Sequence, residues 1–237
     1  QHISKRMLKS GFNYQDLETA PPGLPAESHI EFSYSTYSAR YGNIYTTAQL
    51  LELAEEAFGK RPSLDYSWDK NGCFIDPLRP NVEPEGLKSH DEVQYHRQFH
   101  LKKLKQLFSE MDVFIFTLGL TETWICNRSG RVLPVAPGVI AGKYDPDLHS
   151  FKNLSHSEIK NHLKAFIQLI NEVQGSDKCK FLFTISPVPL TATATNQHAL
   201  VATTFSKSTL RSVVGELYDE YECVDYFPSY EIISSSW

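Results

Sequence analysis

Apolar residues along this chain follow two alternating patterns. Three short runs of strand-forming residues cover 112–118, 180–186 and 223–227, and each follows a stretch in which apolar positions recur with helical spacing. Uninterrupted apolar runs of this length are typical of strands buried on both faces of a parallel sheet. Alternating helices and strands with short connections place helices over the faces of such a sheet. The pattern therefore predicts an α/β fold, a three-layer sandwich around a parallel sheet, formed as one domain over residues 1–237.

Capping and loop residues divide the chain further. Thr46 and Gln49 form a Thr-x-x-Gln capping box, which predicts that a helix begins there. Residues 59–92 and 127–157 contain repeated Pro, Gly and Asp and have neither a helical nor a strand period. We therefore predict two long irregular segments, which inside a domain are usually functional loops or insertions.

Composition and charge exclude several classes of protein. The chain is 41% hydrophobic and 22% charged, which is ordinary for a globular protein, and its net charge of −5 argues against a nucleic-acid binder. No apolar stretch approaches the roughly 20 residues of a membrane span. No signal peptide opens the sequence, which leaves export undecided because a signal could precede Gln1. The four cysteines are widely spaced without a Cys-x-x-Cys pair, which indicates a reducing, cytoplasmic location and argues against a zinc or redox motif.

The common catalytic and metal motifs do not fit this sequence. It has no G-x-S-x-G elbow, no P-loop and no G-x-G-x-x-G fingerprint, which argues against α/β-hydrolase, P-loop and Rossmann assignments. His96 and His100 have the spacing of helical metal ligands, but His100 falls near the apolar face of Leu104 and Phe108. We therefore predict core or boundary histidines and no metal site, with the preceding residues 90–91 capping the helix.

Polar residues follow each of the three predicted strands. The first run leads into Gly119, Thr121 and Glu122, the second ends at Ser186, and the third leads into residues 228–231. Carboxyl ends of parallel strands meet at one edge of a sheet, which is where ligands of α/β proteins bind. Together with the loop at 40–43, these residues predict an active-site rim.

Four segments in the right order resemble the GSCFA family: 33–46 (SYSTYSARYGNIYT), 116–124 (FTLGLTETW), 184–193 (TISPVPLTAT) and 226–232 (YFPSYEI). This family lies within the wider SGNH (GDSL-like) hydrolase group. The resemblance implies a flavodoxin-like fold and a serine esterase or acyltransferase. The implied substrate is an O-acyl ester of a small molecule or glycan, with a carbohydrate ester expected, and no metal or nucleotide cofactor is implied.

The resemblance also implies that the chain is clipped at both ends. The Gly-Ser-Cys-Phe-Ala segment that carries the group's nucleophilic serine would lie immediately before Gln1, and the Asp-x-x-His segment would lie beyond Trp237. The nucleophile and base are therefore expected outside the chain. The chain by itself is expected to be inactive on simple esters, and Ser186 is the first candidate nucleophile if it is not.

The roles of functional residues in the SGNH group can be assigned only to the positions of this sequence that match the group's motifs. Gly42 matches the glycine whose N–H binds the oxyanion, and Thr121 stands where the group has an asparagine, so Asn43 is an alternative amide donor. Glu122 is expected to orient this loop or the base. The residues expected to bind the substrate are Arg40, Tyr41, Trp124 and Ser186.

Two alternatives come from other functional classes. A glycan-binding module could keep the fold without the chemistry, and Thr121 at the asparagine position favours it. A glycosidase could use Glu122 and Glu231 as paired carboxylates, which requires about 5–5.5 Å between them for retention or about 6.5–9.5 Å for inversion.

Overall fold

A computed structural model describes the backbone of residues 2–235 and the side chains of residues 6–235. The helices are α1 (His2–Lys9), α2 (Ser28–Glu31), α3 (Thr47–Ala57), α4 (His90–Glu110), α5 (His156–Gln174), α6 (Ala199–Glu220) and α7 (Ser229–Ser234). The strands are β1 (Trp68–Lys70), β2 (Cys73–Ile75), β3 (Val113–Leu118), β4 (Glu122–Cys126), β5 (Val132–Leu133), β6 (His149–Asn153), β7 (Lys180–Ile185) and β8 (Val224–Phe227).

The three predicted strands form one parallel sheet in the order β3–β7–β8, which confirms the sequence prediction. Val113 lies opposite Lys180 in β7, and Phe181 lies opposite Val224 in β8. The central strand β7 supplies Phe181, Phe183 and Ile185, none of which is exposed. Burial on both faces follows from the uninterrupted apolar run.

Helices flank this sheet and complete a mixed α/β architecture. The capping box of Thr46 and Gln49 is present at the start of α3, as predicted. Helix α5 begins with a second capping box at Ser155, and its apolar stripe of Ile159, Leu163, Phe166 and Ile170 is fully buried in the main core. Periodic apolar positions therefore account for how the helices cover the sheet.

Two predictions about irregular segments were wrong. Segment 127–157 contains strands β5 and β6, and both pair antiparallel with strand β4, which immediately precedes this segment. Segment 59–92 contains the antiparallel hairpin β1–β2. These strands are two to five residues long, too short to show a period, and pairing between Trp124 and Phe151 depends on residues far apart in sequence.

The start of α4 also differs from the prediction. Residues 90–91 belong to the first turn of the helix, and the side chain of Ser89 accepts the hydrogen bond from Glu92 N that caps it. Serine is a strong N-cap because its oxygen satisfies a free backbone N–H.

None of the helices in residues 2–235 is long and apolar enough to cross a bilayer.

Candidate functional site

The carboxyl ends of the three parallel strands are joined directly. Ser186 N–H, just after β7, donates to Leu118 O at the end of β3 at 2.9 Å. Ser229 Oγ, just after β8, donates to Ile185 O at 2.8 Å. The polar residues that follow the strands therefore share one edge of the sheet, and half-buried Ser186 lies on it.

The loop that contains Gly42 meets this edge at the end of β3. Tyr45 O accepts hydrogen bonds from Gly119 N at 3.3 Å and Leu120 N at 2.9 Å. A Cβ at Gly119 would lie only 3.3 Å from Tyr45 O, so glycine permits this close approach of two backbones. The two segments predicted to supply oxyanion donors therefore run side by side.

Gly42 has a backbone conformation that favours glycine. Its φ of +68° is in the left-handed region, and the residue is buried. Among the described residues, its N–H donates no hydrogen bond to another group of the chain. A buried N–H without a partner is unusual.

The Thr121 side chain lies in a closed environment. Thr121 is completely buried, its N–H donates to Ser206 Oγ at 3.0 Å, and its hydroxyl has no partner within the described residues. A substrate oxygen would have to enter this closed site to reach the hydroxyl. Asn43 is half-buried and is the more accessible side-chain donor.

Glu122 orders the loop that follows β7. Its Oε1 accepts a hydrogen bond from Thr193 Oγ1 at 2.6 Å, and its Oε2 accepts one from Ala194 N at 3.4 Å. The carboxylate thus ties the first residue of β4 to a loop over 70 residues further along. The carboxylate is thus bonded to the loop after β7, and its orienting role towards the oxyanion loop or the base stays a prediction.

The Arg40 guanidinium donates its hydrogen bonds to other groups of the protein. It donates to Phe32 O, Val82 O and Glu83 Oε1 at 2.8, 2.6 and 2.7 Å, and it stacks 4.1 Å from the centre of the Tyr34 ring. The side chain is buried. Arg40 therefore holds loops around Gly42 in place, and only part of it faces a cleft.

The two aromatic residues predicted to bind substrate lie in different places. Tyr41 packs edge-on against His100, with ring centres 5.8 Å apart. Trp124 lies in β4 and packs edge-on against Tyr144 and Phe151. The described contacts bring Tyr41, but not Trp124, next to the Gly42 loop.

The two glutamates of the glycosidase alternative have separate partners. Glu231 accepts hydrogen bonds from Arg211 Nε at 2.8 Å and from the Tyr226 hydroxyl at 2.6 Å. Burial raises the pKa of Glu231, but the bond from Tyr226 and the contact with Arg211 outweigh it and lower the pKa. Glu231 is therefore held as a carboxylate and is poorly suited to act as a general acid.

A buried pair of Glu18 and His100, which sequence analysis did not predict, supports the Gly42 loop. Glu18 Oε2 accepts from His100 Nδ1 and from Arg40 N, both at 2.6 Å. His100 Nε2 is buried and has no partner within the described residues.

The predicted core position of His100 is confirmed, whereas His96 lies at the boundary, 3.6 Å from Glu83. No group of three potential metal-ligating side chains occurs in the described part of the chain.

The charges of this pair are set by their surroundings. Burial, together with the charge of Arg79, lowers the pKa of His100 to about 4, although the bond to Glu18 opposes this. Burial would raise the pKa of Glu18, but the hydrogen bond from His100, the charge of Arg79 and the bond from Arg40 N lower it to about 2. At neutral pH, a neutral imidazole therefore donates Nδ1–H to an ionised carboxylate.

This pair predicts a loss of stability in mild acid. The lowered pKa of His100 favours its neutral form, so its contribution is fully present above pH 6.5 and is lost as the pH falls from 6.5 towards 4. We expect this contribution to be on the order of a few kcal/mol. Urea unfolding between pH 7 and 4 should show a flatter pH dependence for His100→Gln than for the wild type. The control His29→Gln, which changes a partly exposed histidine of the short helix α2, should keep the wild-type slope. Equal slopes for wild type and His100→Gln would contradict the assignment.

An open cleft of about 340 Å³ adjoins this pair. Its walls include Tyr34, Arg40 and the exposed aromatic residues Tyr95 and Phe99 of α4, and Glu18 and Arg79 contribute charge. Its size is at the lower end of small-molecule sites.

A second buried feature was missed because its members are far apart in sequence. Arg97 donates to both carboxylate oxygens of Glu56 and, at 3.3 Å, to Asp76 Oδ2. Arg131 donates to Glu56 and, at 3.0 Å, to Glu52. These groups join α3, α4, the residue before β5 and the loop after β2 through buried ion pairs.

The described residues thus form an α/β protein whose three-stranded parallel sheet gathers polar segments at its carboxyl edge. A model of the GSCFA family matches residues 1–237, so the chain belongs to the GSCFA family. No curated protein and no solved structure matches the chain.

Proposed function

We propose that this chain is part of a serine esterase or acyltransferase of the SGNH (GDSL-like) group, with a flavodoxin-like sheet. Its substrate would be an O-acyl ester, and a carbohydrate ester suits the aromatic side chains near the site. In this proposal the nucleophilic serine and its histidine base are contributed by segments outside residues 1–237.

The observation that carries the proposal is the contact between the Gly42 loop and the end of β3. Tyr45 O binds Gly119 N and Leu120 N, so both segments expected to hold an oxyanion lie at the carboxyl edge of a parallel sheet. The free N–H of Gly42 provides a donor that the fold does not use.

The proposed chemistry needs these groups in defined roles. The serine oxygen would attack the acyl carbon while histidine takes its proton, and the oxyanion formed would accept the Gly42 N–H. Asn43 would supply a second donor. Collapse of the intermediate expels the alcohol, which takes the proton from histidine, and water or an acceptor hydroxyl then receives the acyl group.

The direct test compares two lengths of polypeptide. Residues 1–237 alone are expected not to hydrolyse aryl acetates above background, because an oxyanion site without nucleophile and base retains little catalysis. The same chain extended at both ends in its natural reading frame, called here the extended protein, is expected to hydrolyse aryl acetates and acetylated sugars. It should also react covalently with a fluorophosphonate.

Two results would change the proposal. Inhibitor-sensitive hydrolysis by residues 1–237 would place the nucleophile inside the chain, and Ser186→Ala would then be the first variant to assay. An extended protein that neither hydrolyses esters nor reacts with the fluorophosphonate would refute the esterase.

One observation favours a glycan-binding module as the second candidate. The hydroxyl of Thr121 is closed off from solvent, while the cleft beside Glu18 presents the exposed aromatic residues Tyr95 and Phe99. Glycan binding that is lost in Tyr95→Ala, by an extended protein without esterase activity, would support this candidate.

A further inference from the structure

Lys207 of α6 is a buried cation in contact with the proposed site. Its exposed fraction is 1%, and its Nζ donates to Gly119 O at 2.7 Å across 88 residues of sequence. Within the described residues, no carboxylate lies within salt-bridge distance of Nζ. Glu122, the first residue of β4, is bonded to Thr193 instead.

A contribution to the stability of the fold does not explain why Lys207 is buried. An ammonium group removed from water pays a large desolvation cost, and one bond to a neutral carbonyl offsets only part of it. An apolar side chain of similar volume would avoid this cost. Burial lowers the pKa of Lys207 to about 8, so the group still carries its charge at neutral pH.

The contacts of α6 fix the turn between β3 and β4. Lys207 binds Gly119 O, and Tyr45 O binds Leu120 N, so the peptide unit between Gly119 and Leu120 is held at both ends. The preceding residue of α6, Ser206, accepts the N–H of Thr121 at 3.0 Å. Two adjacent residues of one helix thus hold the turn against the Gly42 loop.

We propose that Lys207 is a positioning residue of the esterase site: its ammonium holds the turn 119–121 through Gly119 O and places positive charge behind the oxyanion donors. This inference rests on the proposed function. A fixed charge in a buried site stabilises negative charge that develops on the substrate, because little solvent screens it. Lys207 touches neither the nucleophile nor the substrate in this scheme.

The test uses the extended protein with two substitutions. Lys207→Met removes both the charge and the hydrogen bond, whereas Lys207→Gln keeps a donor without charge. We expect kcat to fall about 10–100-fold in Lys207→Met with KM changed less than threefold, and Lys207→Gln to lie between. The wild type should lose kcat above about pH 8 as the ammonium deprotonates, and neither variant should show this limb.

A second readout does not depend on catalysis. If Lys207 holds the turn, amide hydrogen exchange of Leu120 and Thr121 should be faster in Lys207→Met, while urea unfolding shows equal or greater global stability. The control Lys105→Met changes an exposed lysine of α4 and should alter neither kcat nor exchange at the turn.

The outcomes separate this inference from the proposed function. Unchanged kcat and unchanged exchange in Lys207→Met would overturn the positioning role, as would a loss of kcat that merely parallels a loss of global stability and leaves the alkaline limb intact. An inactive wild-type extended protein would refute the proposed esterase function. The exchange measurement would then test only whether Lys207 holds the turn 119–121.

Discussion

Replacing Arg97 by methionine is expected to lower the free energy of unfolding by about 3–5 kcal/mol. The guanidinium is 1% exposed and binds Glu56 and Asp76, so its removal leaves two buried carboxylates with fewer partners. Asp76 depends strongly on these charges. Burial raises its pKa, but Arg97 and Arg79 outweigh burial and lower the pKa to about 2. Urea unfolding at pH 7, followed by circular dichroism, measures the effect.

A matched control separates the ion cluster from the general effect of removing an arginine. Arg128 is exposed in the turn between β4 and β5, so Arg128→Met should change the free energy of unfolding by less than about 0.5 kcal/mol. A loss below about 1 kcal/mol in Arg97→Met would show that Arg131 and Arg79 neutralise the carboxylates without it.

Replacing Gly42 by proline in the extended protein is expected to lower kcat by about 10²–10³-fold, the usual effect of losing one oxyanion donor. Proline has no N–H, and its φ near −65° is incompatible with the +68° found at Gly42, so the loop must also change shape. Steady-state kinetics with an aryl acetate measures kcat, and a thermal melt shows whether the variant is folded.

Two glycine-to-alanine substitutions separate the effect of losing the N–H donor from the effect of backbone strain. Gly42→Ala keeps the N–H, and its Cβ would meet Arg79 and Val82 at an ordinary 3.7 Å, so only the left-handed φ is unfavourable. Gly130→Ala carries the same strain at φ +67° in an exposed turn with nothing near its Cβ. Both should lose about 1–2 kcal/mol of stability, and Gly42→Ala should keep kcat within about tenfold of the wild type. Wild-type kcat in a folded Gly42→Pro would rule out the donor role.

Local pattern explains why the main sheet was predictable. The runs 112–118, 180–186 and 223–227 are mostly apolar, and the central strand β7 is the one covered on both faces, whereas Val113 of β3 and Phe227 of β8 are exposed. Thr46 with Gln49 marked a helix start because the capping box involves only four consecutive residues. In the same way, the position of His100 on the apolar face of α4 followed from helical spacing.

The site was predictable only as a location. The strand ends predicted that Gly119, Thr121 and Ser186 lie at one edge of the sheet. The hydrogen-bond partners of the side chains around this edge, however, lie far away in the sequence. Arg40 binds Val82 and Glu83, which lie more than 40 residues away in the sequence. This arginine, which we predicted to bind substrate, therefore holds loops together. The sequence offered one missed signal, because Ser206 and Lys207 interrupt the apolar face of α6.

The sequence by itself determined the parallel sheet, the start of α3 and the family of this protein, since each depends on short runs of neighbouring residues or on the chain's segments in order. Only the tertiary structure decided which polar groups meet: Lys207 with Gly119, Glu18 with His100 and Arg97 with Glu56. Such contacts join residues 41 to 88 positions apart, and their strength comes from burial, which no local pattern encodes.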